Sequence, residues 1–269
     1  MMSRWSERQR EMLAAMGVRL FEMPASDGAP VRPEPTHDRA EAATAAAAVP
    51  ALRQAPGRPS VPEGERSSNR APDVPALDWP ALREAVAACR ACALCESRKQ
   101  TAFAVDHERA RLMIVGEAPG EQEDIQGEPF VGQAGKLLDN MLRAIGLARD
   151  AAAPERAVFI CNTLKCRPPR NRNPEPAETV KCAPFLERQI ELLQPKLLLA
   201  MGRFAAQALL GSDEAIGKLR GRVHQRTIGA VSVPVIVTYH PAYLLRTLAD
   251  KARAWDDLCL AASVLELKT

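Results

Sequence analysis

Residues 112–124 read LMIVGEAPGEQED, and this stretch predicts both a fold class and the position of a site. The first four residues, 112–115, form an apolar run that is typical of a buried β-strand. A turn with two glycines, Gly116 and Gly120, follows at once and carries the carboxylate of Glu117. Open α/β sheets bind ligands at the carboxyl ends of their strands, so we expect a binding site at this turn.

Similar apolar runs recur along the chain and alternate with helical patterns. The strand-like runs are 112–115, 157–160, 197–200 and 233–238. The helical patterns are 79–90, 134–146, 176–193, 203–210 and 249–266. Strands that alternate with helices favour a mainly parallel sheet with helices on both faces. The sequence therefore predicts a three-layer α/β/α domain over residues 77–269.

The first 76 residues differ in composition from the rest of the chain. Residues 1–22 contain an amphipathic pattern over 3–22 that predicts a helix, either a frayed tail element or a motif for a protein partner. Residues 23–76 hold ten of the 22 prolines and the alanine-rich run 42–48. Such a composition cannot bury a core, so we predict a disordered linker there.

The bulk composition limits the function classes. The net charge of the 269 residues is only +3, so any surface that binds nucleic acid has to be local. No apolar run approaches the roughly 20 residues that span a bilayer, and the N-terminus lacks the apolar segment of a secretory signal. We therefore expect a cytoplasmic protein that does not enter a membrane, and we expect a monomer.

Clustered cysteines indicate a metal or cluster site. Cys89, Cys92 and Cys95 form a C-x2-C-x2-C pattern, and Cys166 and Cys182 lie further along the chain. Two ligands from the first group, for which we prefer Cys89 and Cys92, would complete a four-thiolate site with the second pair. The wide second spacing favours an iron–sulfur cluster, while zinc and unligated core thiols stay as alternatives. Two further cysteines are expected in the core: Cys161 and Cys259.

Three side chains outside the first turn are candidates for binding a flat ligand. Phe130 lies in a Gly/Pro-bounded turn, where it either joins the core or stacks on a base. Asn162 ends a strand, where it either caps a turn or presents a donor and an acceptor that complement the edge of uracil. His240 follows another strand directly, and this position favours a catalytic role over a structural one.

Basic loops and an apolar tip suggest contacts with a nucleic acid. The basic side chains are either solvated surface or phosphate contacts. We predict the second for Arg167, Arg170, Arg220, Arg222 and Arg246. The tip next to His240 contains Leu244 and Leu245, either of which would enter a base stack as a wedge.

Taken together, these motifs resemble the family 4 uracil-DNA glycosylases, the iron–sulfur branch of that superfamily. The matching segments are CRAC at 89–92, GEAPGEQED at 116–124, GEPFVGQAG at 127–135, CNTLKCRPP at 161–169, GKLRGRV at 217–223 and HPAYLLR at 240–246. The resemblance covers about 85–267 and implies a four-stranded, mainly parallel sheet, a uracil-containing DNA substrate and base removal by hydrolysis, with repair of deaminated cytosine as the role.

The resemblance also implies residue roles. The base pocket carries over to Gly116, Glu117, Ala118, Phe130, Asn162 and His240, with Glu117, Glu123 and His240 as catalytic groups. The ligands of a structural [4Fe–4S] cluster carry over to Cys89, Cys92, Cys166 and Cys182.

At two positions this sequence differs from related glycosylase families, and both differences bear on the expected chemistry. Family 1 enzymes have an aspartate at the position of Ala118, so Glu117 or Glu123 would have to act on water here. A related branch uses the histidine of a KRRIH loop as a nucleophile, whereas this chain reads KLRGRVH, which favours ordinary hydrolysis over attack by His224. The alternatives are a non-enzymatic nucleic-acid-binding module with a structural four-cysteine site and a hydrolase of free nucleosides or nucleotides.

Overall fold

The computed structural model describes residues 74–105 and 107–267. The predicted helix at 3–22 and nearly all of the predicted linker lie outside these residues. The last linker residues, Val74–Ala76, form a short 3-10 turn, and Val74 packs against the core cluster of Leu82, Val86 and Phe185. The packed domain therefore includes residues that we assigned to the linker.

A five-stranded sheet forms the centre of the domain, in the order β2-β1-β3-β5-β4. The strands are β1 Leu112–Gly116, β2 Val158–Asn162, β3 Leu197–Met201, β4 Val223–Ile228 and β5 Val231–Thr238. The first three strands and β5 run parallel, whereas β4 pairs antiparallel with β5. The three-layer prediction is confirmed, but the sheet has one strand more than predicted.

The extra strand β4 sits at the edge of the sheet, which explains why the sequence pattern missed it. Its residues VHQRTI alternate between more and less exposed positions and include no continuous apolar run. An edge strand is covered on one side only, so it needs few apolar residues.

Nine helices cover the sheet within the described part of the chain. They are α1 Trp79–Ala88, α2 Leu94–Ser97, α3 Glu121–Gln126, α4 Gln133–Ala144, α5 Pro176–Leu193, α6 Arg203–Leu210, α7 Ile216–Leu219, α8 Pro241–Leu244 and α9 Lys251–Val264. The five long helices match the predicted ones to within two residues, whereas the four short ones had no periodic signal. None of the helices in the described ranges is both long and apolar enough to cross a membrane.

The alternation of side chains along β1 divides the core into two halves. Leu112 and Ile114 join one apolar cluster with α4 and α9, while Met113 and Val115 join a second cluster with α5 and α6. Successive side chains of a strand point to opposite faces, and a strand buried on both faces is apolar throughout. Within β1, β2 and β3, the one polar side chain, Asn162, accordingly lies at the end of its strand.

Candidate active site

The carboxyl ends of the four parallel strands meet at one edge of the sheet. Gly116 and Asn162 are paired in register at the ends of β1 and β2, and Met201 and Thr238 are paired at the ends of β3 and β5. The chain leaves β1 for β2 on one side, whereas β3 pairs on the other side. Such a change of direction opens a crevice beyond the strand ends.

A cavity of about 850 Å³ occupies this crevice. Six of the residues selected from the sequence line its wall: Glu117, Ala118, Glu123, Phe130, Asn162 and His240. The cavity is large enough for a small ligand such as a nucleoside. Positions up to 123 residues apart thus converge on one pocket.

Gly116 lets two of these side chains approach each other. A Cβ atom at Gly116 would lie 2.6 Å from Phe130 Cζ and would also overlap the Asn162 amide oxygen. Any side chain at this position would therefore push the ring and the amide apart. The glycine is required by close packing in the pocket wall, not by the turn alone.

The turn around Phe130 is held by several contacts. Phe130 has a φ of 57°, which is unusual for a residue with a side chain. Arg149 Nη2 donates to the Phe130 carbonyl at 3.0 Å, and Arg149 Nε donates to Asp139 Oδ1 at 2.6 Å. A Cβ atom at Gly135 would overlap that same carbonyl. These contacts fix the ring at the pocket wall.

The Asn162 amide is available to a ligand. Asn162 is only 2% exposed, and its side chain lines the pocket. None of the hydrogen bonds between described residues uses this amide, while the Asn162 main-chain oxygen accepts a bond from Lys165 Nζ at 2.7 Å. A buried amide normally has partners, so its unpaired donor and acceptor indicate a recognition group. The alternative of a turn cap made by this side chain is wrong.

His240 is held as a neutral imidazole at the pocket wall. Its Nδ1 accepts a hydrogen bond from the Ala242 main-chain N–H at 3.1 Å, which leaves the proton of the neutral ring on Nε2. Burial lowers the pKa of His240 to about 4, with a smaller opposing contribution from Glu123 and a reinforcing one from Arg246. Phe130 stacks on the imidazole at a centroid distance of 5.4 Å and an angle of 24°.

The two acidic candidates have different surroundings. Glu117 faces the pocket, and burial raises the pKa of its carboxyl while Arg203 lowers it. Glu123 instead accepts hydrogen bonds from the main-chain N–H groups of Gly120, Val131 and Gly132 at 3.0–3.2 Å. Both Glu123 oxygens are thus used to join the first turn to the Phe130 turn. Both carboxylates line the pocket, but the Glu123 oxygens are occupied by main-chain N–H groups, whereas Glu117 makes no such contact within the described residues of the turn.

Two residues that we predicted to contact DNA are engaged inside the domain, Leu244 in the core and Arg220 in an ion pair, and these predictions are wrong. Leu244 is 0% exposed and belongs to the core, whereas Leu245 is 43% exposed. Arg220 forms a two-pronged ion pair with the fully buried Asp257, at 3.0 Å for each bond. A guanidinium used in this way is unavailable to a phosphate. Helix α8 ends at Leu244 and turns this side chain into the core, while the next residue, Leu245, faces outwards. The sequence alone did not show this difference.

The other predicted basic residues remain accessible. Arg246 lines the pocket near His240, and Arg170 is exposed in the 169–171 turn. Arg167 donates to Asn171 Oδ1, and Arg222 is 58% exposed beside Glu214. These four side chains are at least partly exposed and are therefore accessible to phosphates.

Several lining residues were missed by the sequence analysis. Arg203 and Phe204 follow β3, and Tyr239 follows β5 directly. The rule that placed Glu117 and Asn162 at strand ends would have found them if it had been applied to β3 and to the residue before His240. Asn171 and Asn173 enter from the basic loop, where the sequence offers no such rule.

A second, much narrower cavity lies beside the first and is lined by cysteines. Its volume is about 20 Å³, and five cysteines contribute to its wall: Cys89, Cys92, Cys95, Cys166 and Cys182. Ala118 of the larger pocket packs in one apolar cluster with Cys92, Cys166 and Cys182. The two cavities therefore share a wall.

The residues around the cysteines fit an anionic metal cluster. Arg98 Nη1 donates to Cys166 Sγ at 3.0 Å, and Arg98 Nη2 donates to the main-chain oxygens of Ala87 and Cys89. A cation beside the sulfur favours the thiolate that metals require. Within the described ranges, no three His, Cys, Asp or Glu side chains are arranged to hold a single metal ion.

Comparisons with known proteins agree with this geometry. Residues 103–259 match the model of the uracil DNA glycosylase superfamily. A type-4 uracil-DNA glycosylase of Archaeoglobus fulgidus is 43% identical over 164 residues, which cover 60% of this chain and 79% of the relative. The type-4 enzyme of Thermotoga maritima is 40% identical over 173 residues, 64% of this chain and 85% of the relative.

The type-4 enzyme of Pyrobaculum aerophilum is 38% identical over 188 residues, and these residues cover 68% of this chain and 93% of the relative. The superfamily match includes the strand ends that form the large pocket. The chain belongs to the uracil-DNA glycosylase superfamily and, within it, to the type-4 uracil-DNA glycosylases.

Proposed function

We propose that this uracil-DNA glycosylase hydrolyses the N-glycosidic bond of a uracil that has been extruded from DNA into the 850 Å³ pocket. A base inside a duplex is inaccessible, so it has to leave the stack first, which costs a few kcal/mol. The observation that carries the proposal is the convergence of Phe130, Asn162 and His240 on one pocket. The product is an abasic site, the first intermediate in repairing a deaminated cytosine.

Recognition of uracil is assigned to Phe130 and Asn162. The face of the Phe130 ring away from His240 would stack on the base, and such stacking contributes about 1–3 kcal/mol. The unpaired Asn162 amide would accept from N3–H and donate to O4. Cytosine offers an amino group and a bare nitrogen at these positions, so the same amide orientation would leave buried polar groups unpaired.

Catalysis is assigned to His240 and Glu117. As the glycosidic bond breaks, negative charge grows on uracil, mainly at O2. The Nε2–H of a neutral His240, with main-chain N–H groups of the 116–118 turn, would stabilise that charge in a partly water-free site. Glu117 would orient a water molecule towards the sugar as positive charge develops there. Burial raises the pKa of this carboxyl, and Arg203 opposes that rise.

Binding of the DNA strand is assigned to accessible basic side chains and to one exposed leucine. Arg246, Arg167, Arg170 and Arg222 would contact phosphates, and Leu245 would fill the gap that the extruded base leaves. This assignment rests on their exposure and on the position of Arg246 in the pocket wall. It predicts binding that weakens with salt.

The cysteine-lined cavity is assigned to a [4Fe–4S] cluster held by Cys89, Cys92, Cys166 and Cys182. When bound, the cluster would act as a structural cross-link between the α1–α2 segment and the loop after β2, with no part in bond cleavage. The four cysteines that line one cavity and the neighbouring Arg98 support this assignment. Absorbance near about 400 nm and the iron content distinguish the cluster from the zinc alternative.

The experiment that tests the proposed function compares the wild type with Asn162→Ala on uracil-containing single- and double-stranded oligonucleotides. Alkali then cleaves the abasic sites that have formed. We expect the variant to lose at least about 100-fold in the rate of excision, because a buried recognition group is removed. Its thermal unfolding midpoint should stay close to the wild type, since the amide has no protein partner to lose.

Asn140→Ala serves as the matched control, because Asn140 bonds only to Arg143 on the same helix. Excision by Asn162→Ala at the wild-type rate would contradict the edge-reading role. Wild-type protein that leaves both substrates intact would instead favour the non-enzymatic binding module. Excision from free nucleosides alone would favour the nucleoside hydrolase.

A further inference from the structure

Lys165 is a buried cation that has no acidic partner within residues 74–105 and 107–267. Only 2% of its surface is exposed, and its Nζ donates to the Asn162 main-chain oxygen and to Gln189 Oε1, each at 2.7 Å. No ion pair among the described residues includes it. An ammonium surrounded by neutral oxygens is costly to bury unless a negative charge nearby compensates it.

The cysteine site supplies that negative charge. Lys165 itself lines the cysteine cavity, and Cys182 lies within range of its electrostatic influence. Cysteine ligands bind a metal as thiolates, so a loaded site places several negative charges beside this ammonium. Arg98 and Lys165 would then both offset the negative charge of the loaded cysteine site.

A single short loop joins the two cavities. It begins at Asn162 in the pocket and ends at Cys166 in the cysteine cavity. Between them, the Thr163 and Leu164 N–H groups donate to the Gly116 and Glu117 carbonyls at 3.0 and 3.1 Å. A displacement of the loop at its cysteine end would therefore move both Asn162 and the first turn.

We propose that Lys165 is a positioning residue that couples the cysteine site to uracil recognition by fixing the main chain of Asn162. Its ammonium is drawn towards the thiolates and in turn orients the Asn162 carbonyl, which sets the direction of the amide in the pocket. The proposal rests on the proposed roles of Asn162 and of the cysteines. It adds a specific residue through which the cluster influences base recognition.

The test replaces Lys165 with methionine, which keeps most of the length of the unbranched side chain and removes the charge. Lys181→Met is the matched control, because Lys181 also lines the cysteine cavity but is exposed and bonds to no pocket residue. We expect Lys165→Met to lose about 10-fold or more in kcat/KM and to bind free uracil, measured as an inhibitor, about 10-fold more weakly. Lys181→Met should match the wild type in both measurements.

Binding of DNA that contains an abasic site distinguishes positioning from general damage. Such DNA has no base for Asn162 to read, so Lys165→Met should bind it as the wild type does. Iron content and the absorbance near about 400 nm report on the cluster independently of activity. Combined with Asn162→Ala, the Lys165 change should cause no further loss of uracil affinity, because the two residues act in sequence.

Three results would overturn the proposal: unchanged uracil inhibition in Lys165→Met, an equal loss of binding to abasic DNA, or additive effects in the double variant. If Lys165→Met does not fold, Gln189→Met tests the proposal in its place. This variant keeps the Lys165 ammonium and removes one of the two oxygens that accept its hydrogen bonds. We expect this variant to show the same selective loss at about 3-fold, and unchanged uracil affinity would refute the coupling. Failure of the proposed function would show separately, as full activity of Asn162→Ala.

Discussion

The large pocket and the cysteine cavity share a wall but are built in different ways. The pocket is formed by the ends of four paired strands, so its side chains are fixed by the register of the sheet. The cysteine cavity is formed by the α1–α2 segment, the loop after β2 and α5, none of which is paired in the sheet. The pocket thus depends on the buried core, whereas the cavity depends on side-chain contacts between separate segments.

This difference shows why a structural cluster would be useful at this place. Among the described residues, the Asn162–Cys166 loop is the one segment that contributes to both cavities through its two ends. A metal-bound Cys166 would hold that loop by a bond much stronger than the hydrogen bonds of Thr163 and Leu164. Changes to the cysteine ligands should therefore affect mainly the stability of the protein, and changes on the pocket side mainly its catalysis.

The largest expected effect comes from the cysteine cavity. Replacing Cys166 with serine should abolish the absorbance at about 400 nm and lower the thermal unfolding midpoint by about 10 °C. The reason is that the cluster would no longer link the loop after β2 to the α1–α2 segment. Cys259→Ser is the control, since Cys259 lies on α9 outside the cavity. Cys95→Ser should also keep its iron. Full iron content in Cys166→Ser would contradict the ligand assignment.

Much of the sheet and of the large pocket could be predicted from the sequence. The strands buried on both faces are continuous apolar runs, and the residues that follow them had to meet at one sheet edge, which placed Glu117, Asn162 and His240 together. Strand β4 was missed because an edge strand needs no such run. The buried positions of Leu244 and Arg220 depend on a four-residue helix and on Asp257, and neither produces a periodic pattern.

The cysteine cavity was predictable in composition but not in its surroundings. The C-x2-C spacing identified the thiols, yet nothing near them in the sequence indicated that Lys165 would be buried or that Arg98 would contact Cys166. These contacts link residues 24 to 68 positions apart. They depend on how α5 and the α1–α2 segment pack, which side-chain periodicity does not determine.

A smaller, purely catalytic effect is expected from His240 on the pocket side. His240→Ala should lower kcat by about 100- to 1000-fold because it removes a donor to the departing base. His224→Ala is the control on β4. In the wild type, burial lowers the pKa of His240 to about 4, so its contribution to kcat should be constant around neutral pH and fall as the pH drops through about 4.

The same pKa has a consequence for stability that a denaturation series against pH can measure. His240 is neutral in the folded state down to about pH 4, whereas in the unfolded state it takes up a proton near its ordinary pKa of 6.5. The unfolded state therefore binds more protons between these values, and the free energy of unfolding should fall as the pH drops from 6.5 to about 4. A titration of His240 near 6.5 in the folded protein would show that the pocket is open to water.

The smallest effects come from the leucine pair at the rim, where core and surface adjoin. Leu244→Ala should cost about 3 kcal/mol of unfolding free energy, since it empties a fully buried site. Leu245→Ala should leave stability unchanged and lower excision from double-stranded DNA by about 10-fold, the equivalent of 1.4 kcal/mol. Excision from single-stranded DNA should fall less, because no stacked partner closes behind the extruded base. Equal losses on the two substrates would show that Leu245 contacts the strand without acting as a wedge.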